Sequence, residues 1–397
     1  MASAAEQLAA NINFGAFSKA TELKKRLWFT LGALIVYRIG TYIPIPGIDP
    51  AALADIFEQQ RGGILGMFDV FSGGALGRMT IFALNIMPYI SASIIIQLLT
   101  TVSPHLEALK KEGEQGRKKI NQYTRYGTVV LTALQAYGIA AGLEGMTAGG
   151  GQGVVLAGGM FFKASTVITL VGGTIFLMWL GEQITARGVG NGISLIIFAG
   201  IAAGIPGGIK DTINLFSNGE LTGLNLLLVA GVMIAAFWII IYTEKAFRKI
   251  PVQYAKRVVN NRVFGGQASH LPVKVNIAGV MPPIFASALL GFPTTISTFV
   301  PETSPLKMYM DTIQASLYPG QTLYNVVFVG LIVFFCYFYA QIQFKTEDIS
   351  ESLKKNGGFI PGIRPGAKTA EFLDIVVSRL TLVGSIYMSL ICIMPAI

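Results

Sequence analysis

Ser72-Gly73-Gly74 is the nearest approach in this chain to a nucleophile turn, a hydroxyl followed by two unencumbered residues. A serine nucleophile needs an adjacent base to take its proton, and no histidine or lysine is placed here to act as one. His105 and His270 are the only histidines and both lie in polar stretches, so no HExxH pair or multi-histidine metal site exists. Cys336 and Cys392 sit far apart in apolar runs, without metal or redox spacing, and read as core thiols. Gly188 to Gly192 has the outline of a dinucleotide turn, but it joins two apolar runs rather than a strand and a helix. The glycine-rich stretch 146–159 lacks the Lys-Ser/Thr that a phosphate cradle needs. Catalytic residues, metal and cofactor are therefore all expected to be none.

The remaining chemistry is that of exclusion and of charge. Ile86 and Ile90 are four apart and share one helix face, with Pro88 between them expected to bend the helix. Ile193 and Ile197 repeat the spacing just after the Gly188–Gly192 turn. Such pairs commonly face lipid or a neighbouring helix; if they converged, they would make a hydrophobic constriction that resists water and ions. Charges inside apolar runs are functional candidates by default. Here they are Arg38 and Arg379, with Asp374 and Glu182 near run ends. The segment Phe359-Ile360-Pro361-Gly362-Ile363-Arg364-Pro365-Gly366 is a rigid turn that holds Arg364 at its tip. With Lys354, Lys355 and Lys368 it forms a basic patch; a structural turn and a docking site for acidic protein or RNA are both open readings.

The elements that must position these residues are membrane helices. The chain has 397 residues, 52% hydrophobic and 13% charged, against about 25% charged in a soluble domain. Its 46 glycines suit close helix approach. Nine spans are expected, at about 27–45, 76–101, 122–144, 163–185, 192–208, 222–243, 275–300, 321–343 and 373–396. An interrupted apolar segment, 62–74, precedes the second. It is too short to cross, and irregular backbone at membrane depth is tolerated only where protein or a water-filled cavity covers it. The N-terminus lacks a cleavable signal's apolar core, so the first run stays as span one. Alternate loops hold 23 of the 30 Lys and Arg; the opposite loops hold only Arg61, Lys163, Lys210 and Lys307, with Arg78 at a span edge. That asymmetry puts the basic loops and the N-terminus in the cytoplasm. In a chain of this class the net charge of +9 reads as topology-setting loop charge rather than nucleic-acid affinity. Two basic loops, 244–274 and 344–372, are long enough to be functional.

Five stretches resemble the SecY protein-conducting channel family, in its bacterial form. They are TIFALNIMPYISASIIIQLL (80–99), WLGEQITARGVGNGISLII (179–197), RKKINQYTRYG (117–127), VKVNIAGVMP (273–282) and the Pro361–Gly366 turn. The resemblance runs from about residue 20 to the end. It implies an all-α polytopic membrane protein of two pseudo-symmetric inverted halves of five spans around a central pore. Residues 1–26 would be a cytoplasmic N-terminal segment, 27–208 the first half and 209–397 the second. The chain stops at Pro395-Ala396-Ile397 after nine expected spans, so the family's tenth span, which supplies a last ring position, is expected to be absent from this chain.

The resemblance also assigns roles. Ile86, Ile90, Ile193, Ile197 and Met281 match pore-ring positions; isoleucine is frequent at the last, and methionine there still seals. Ile64, Leu65, Met67, Phe68, Phe71, Ser72, Gly73 and Gly74 match the plug, a half-helix over 62–74 that closes the pore from outside. Spans two, three, seven and eight match a lateral gate. Arg257, Arg262, Arg364, Lys354 and Lys355 match a partner-docking surface. Asn85 stands where the family usually has glycine. The implied function is a passive channel for secretion of unfolded preproteins and lateral insertion of membrane proteins at the bacterial inner membrane. Implied partners are the small membrane subunits SecE and SecG, the SecA motor ATPase, the ribosome, signal peptides and nascent chains, and the lipid bilayer. The basic loops would also allow contact with ribosomal RNA. A secondary transporter is the rival of another class, disfavoured by the scarcity of buried charge. An intramembrane enzyme is disfavoured by the missing catalytic pair.

Overall fold

A computed structural model of the protein describes residues 21–59, 69, 72–145, 153–219, 222–254, 257–259, 262–264, 268–297, 309, 312, 316–317 and 321–394. Two compact units are distinguished, the first built mainly on residues up to Thr212 and the second mainly on those from Ile213 onward.

In the first unit, α1 spans Thr21–Gly40, α2 Pro50–Gln59, α3 Met87–Val102, α4 Pro104–Lys111, α5 Glu114–Gly145, α6 Met160–Arg187 and α7 Gly192–Ala202, and α8, Ile205–Ser217, contains the boundary between the units. The second unit follows with α9 Gly223–Lys245, β1 Phe247–Tyr254, β2 Arg257–Val259, β3 Arg262–Phe264 and β4 Ala268–Lys274. It continues with α10 Met281–Ser297, α11 Thr322–Gln343, α12 Thr346–Lys355, β5 Gly358–Phe359 and α13 Ala367–Ile393. Each of the nine expected spans carries a helix at its place. Six helical segments among the described residues are long and apolar enough to cross a membrane, and α3 with α4 makes a seventh if that pair, bent by 98°, is one span.

Local chemistry explains several helix ends. Asn191 caps α7, its side chain accepting from the Ile193 and Ser194 amides at 3.0 and 3.2 Å. Thr222 caps α9 by accepting from the Asn225 amide. Along α5 the hydroxyls of Thr124, Thr128 and Thr132 each donate to the carbonyl four residues back, so all three are buried with their polar atoms satisfied.

The expected second span, 76–101, needs correction. Residues 76–86 are turns, and the helix begins only at Met87. Pro88 stands in its first turn, where a missing N–H costs nothing. It therefore opens a helix rather than bending one. The 16 residues of α3 reach about 24 Å, less than a bilayer core of about 30 Å. Residues 76–86 bond elsewhere instead. The Ile45 amide donates to the Met79 carbonyl at 2.9 Å, the Ile81 amide to Ile43 at 3.0 Å, and Pro44 bridges Thr80. Phe82 stacks between Tyr37 of α1 and Phe176 of α6, ring centroids 6.1 and 5.9 Å away. The expected fifth span, 192–208, is likewise two helices, α7 and α8, running to Ser217.

The basic loops 244–274 and 344–372 also hold structure that hydropathy did not signal. β1 pairs antiparallel with β4 from Phe247↔Lys274 to Gln253↔Ala268, and on its other edge with β5 at Gln253↔Phe359. One sheet thus joins the two loops. Ile250 and Val273 from it, Ile360 after β5, and Leu373, Val376 and Val377 of α13 make one buried cluster.

Candidate functional site

The Ser72–Gly74 break is a hinge held by side chains from distant positions. Gly73 and Gly74 adopt φ of +68° and +79°, which favours residues without a Cβ. A Cβ on Gly73 would stand 2.9 Å from the Gly200 carbonyl oxygen of α7 and 3.0 Å from an Arg38 nitrogen. The hinge is therefore pressed against the helix that carries Ile193 and Ile197. Two guanidiniums converge on one carbonyl: Arg38 donates to Gly73 O at 3.3 Å and Arg78 at 3.1 Å. Both arginines also lie over the Tyr42 ring, at 5.5 and 4.3 Å from its centroid. The neighbouring Ser72 carbonyl accepts from the Tyr37 hydroxyl at 3.4 Å. On the near side, Asp69 accepts from the Gly77 amide at 2.7 Å, and the Ser72 hydroxyl caps Leu76. The expected plug residues Ile64, Leu65, Met67, Phe68 and Phe71 lie outside the described residues.

Ile86 is the residue just before α3, and its carbonyl accepts from the Ile90 amide at 3.0 Å, so the expected one-face relation holds. Both are buried, at 1% and 5% exposure. Ile193 and Ile197 are half-buried in α7. The Gly188–Gly192 turn before them is tight: Gly190 has φ of +76°, and Gly192 packs so closely on the Gly181 carbonyl that a Cβ would stand 2.0 Å from it. Met281, half-buried, opens α10 in the second unit, where the Phe285 ring meets Phe335 of α11 edge-on and Tyr339 at a tilt.

Asn85 has φ of +48°. That left-handed conformation is why glycine suits the position and why asparagine, among the residues that tolerate it best, can replace it. Its side chain is buried. The flagged Arg38 thus has a partner, whereas Tyr37, Tyr42 and Arg78 carried no signal beyond their residue types. Glu182, also flagged, forms a two-pronged bond with Arg125 at 2.7 and 2.9 Å, tying α5 to α6. Asp374 accepts from the Thr346 hydroxyl at 2.7 Å, joining α12 to α13.

In the basic loops, Arg364 is exposed at a turn built as expected. Gly362 and Gly366 have φ of +82° and +101°. The Arg364 carbonyl accepts from the Thr369 hydroxyl at 2.9 Å, and Gly366 O from Ser350 at 2.7 Å. Lys354 and Lys355 are exposed at the end of α12, Lys355 paired with Glu351 at 3.0 Å. Arg257 and Arg262 fall on β2 and β3, which pair as a two-stranded hairpin.

The SecY family model matches residues 80–397. The chain is 54% identical over 374 residues to the protein translocase subunit SecY of Escherichia coli (strain K12), covering 94% of this chain and 84% of that one. It is similar to a solved structure described by the statement that the plug domain of the SecY protein stabilises the closed state of the translocation channel and maintains a membrane seal. The TM-score is 0.62 at 19% identity, over 93% of this chain and 84% of that one. It is also similar to Sec61 in the canine ribosome-channel complex from the endoplasmic reticulum, with TM-score 0.57 at 18% identity, over 92% and 84% of the two chains.

Proposed function

The chain belongs to the SecY family, and from that premise we propose that it is the channel subunit of a protein translocase, a passive pore that conducts preproteins and releases hydrophobic segments sideways into the membrane. The observation that carries this reading is the seat of the Ser72–Gly74 hinge. It leads into the segment bearing Ile86 and Ile90 and packs on Gly200 of α7, the helix bearing Ile193 and Ile197. These four side chains, with Met281, form the seal of the resting pore, and residues 62–74 form its plug.

Opposed demands explain the residue types. The resting pore must exclude ions, which an apolar constriction does by staying dry. The working pore must admit many sequences, which compliant aliphatic side chains allow and specific polar groups would not. A signal segment that partitions between gate helices and lipid favours the open state, because burying apolar side chains contributes about 25 cal/mol per Å² and a ligand shifts a two-state equilibrium by its differential affinity. The energy for movement comes from a partner. The exposed Arg364 turn, Lys354, Lys355, Arg257 and Arg262 form the cytoplasmic docking face for the SecA motor or the ribosome, SecE and SecG complete the membrane complex, and the N-terminus lies in the cytoplasm of a bacterial inner membrane.

Serine at Ile86, Ile90, Ile193 and Ile197 together should raise resting ion conductance in planar bilayers well above that of the wild-type complex. A quadruple variant as tight as the wild type would overturn the assignment of the seal.

A further inference from the structure

Glu244 stands in the last turn of α9, where the helix dipole disfavours a carboxylate. What it touches accounts for its place. Its carboxylate accepts from the Asn276 side-chain nitrogen at 2.7 Å. Asn276 is 5% exposed and uses both ends of its amide. The nitrogen also donates to the Gly279 carbonyl at 3.3 Å, and the oxygen accepts from the Gly279 amide at 3.1 Å. A buried amide satisfied in this way fixes the backbone around it. The bond also ends a ladder. The β1–β4 pairing runs to Phe247↔Lys274, the Val275 amide then donates to the Ala246 carbonyl at 3.1 Å, and Glu244 meets Asn276 through side chains. Beyond this rung Gly279 turns with φ of +65°, Val280 is exposed and Met281 is half-buried. Packing around these last residues is thin, so the start of α10 takes its place from Asn276.

We propose that Glu244 and Asn276 are positioning residues that hold the start of α10, and with it Met281, in the resting place of the seal. The inference rests on the seal reading above, in which Met281 belongs to the constriction. With the pair broken, the lead-in to α10 shifts and the channel leaks at rest while its fold survives. Asn276→Asp keeps the shape of the side chain but sets a second carboxylate against Glu244. Adding Glu244→Gln reverses the pair, because the new amide nitrogen can donate to the aspartate.

In the complete channel complex in planar bilayers, Asn276→Asp should raise resting conductance about tenfold, for two donated bonds lost. The reversed pair should bring it back to within about threefold of the wild type, since only the Gly279 carbonyl then lacks its donor. Glu244→Ala, which leaves Asn276 its bonds to Gly279, should leak about fivefold and serves should the aspartate variant fail to assemble. Met281→Ser is measured beside them. Pair variants as tight as the wild type beside a leaking Met281→Ser channel would overturn the inference and leave the seal reading standing, even if they unfold earlier in denaturant. A leak from Asn276→Asp that the reversed pair does not reduce would overturn it as well. A tight Met281→Ser channel removes Met281 from the seal and takes the inference with it.

Discussion

Residues 81–90 of the first unit and 275–284 of the second are built alike. Each leads into a helix that starts at Met-Pro, Met87-Pro88 and Met281-Pro282. In each, the carbonyl six positions before that methionine is met by a glycine of a neighbouring long helix. Gly173 of α6 faces Ile81 O, and Gly384 of α13 faces Val275 O. Each turns through one left-handed residue and holds one buried asparagine. In the second unit these are two residues: Gly279, with φ of +65°, supplies the conformation, and Asn276 supplies the bonds. Asn276 donates to Glu244 at 2.7 Å and to the Gly279 carbonyl at 3.3 Å, and accepts from the Gly279 amide at 3.1 Å. In the first unit Asn85 is at once the left-handed residue and the buried asparagine. The packing differs in the same sense: Ile86 is 1% exposed, but Val280, its counterpart before the methionine, is 61% exposed. The tighter segment is the one that carries the hinge. In the denser segment one residue supplies both the left-handed turn and the buried amide.

Breaking the glycine contacts tests this contrast most severely. A Cβ on Gly173 would stand 1.9 Å from the Ile81 carbonyl oxygen, backbone that cannot step aside. Gly173→Ala should destabilise the protein by about 3 kcal/mol, the upper end for overpacking, read as unfolding in detergent against denaturant. Next comes Asn276→Ala, which strips a buried network of its centre and should cost about 2 kcal/mol in the same assay. The smallest effect belongs to Gly384→Ala. Its Cβ would sit 3.0 Å from Val275 O, so the neighbour gives by a few tenths of an ångström, and the loss should be about 1 kcal/mol. Equal losses at Gly173 and Gly384 would erase the difference in packing between the two segments.

Much of this was legible in the sequence. Hydropathy located a helix for every expected span, and the 188–192 glycines announced a tight turn. The Pro361–Gly366 motif announced a rigid one with Arg364 outward. These features depend on neighbours in the chain. The hidden features depended on distant partners. An apolar run from residue 76 reads as helix, but Met79 and Ile81 bond to Ile45 and Ile43 instead. Arg38 was visible as a charge out of place, yet its target, the Gly73 carbonyl, was not. Basic, turn-rich loops concealed a sheet, because β5 contributes only two residues to it.

By itself, the sequence determined the membrane class, the placement of the helices, the charge asymmetry and the aliphatic pairs at helical spacing, all of which follow from local composition and period. Only the tertiary structure decided where α3 begins, which groups hold the hinge, and that Asn85 is buried in a left-handed conformation. A left-handed backbone is stabilised, and a buried amide is tolerated, only by atoms that folding brings within hydrogen-bond distance.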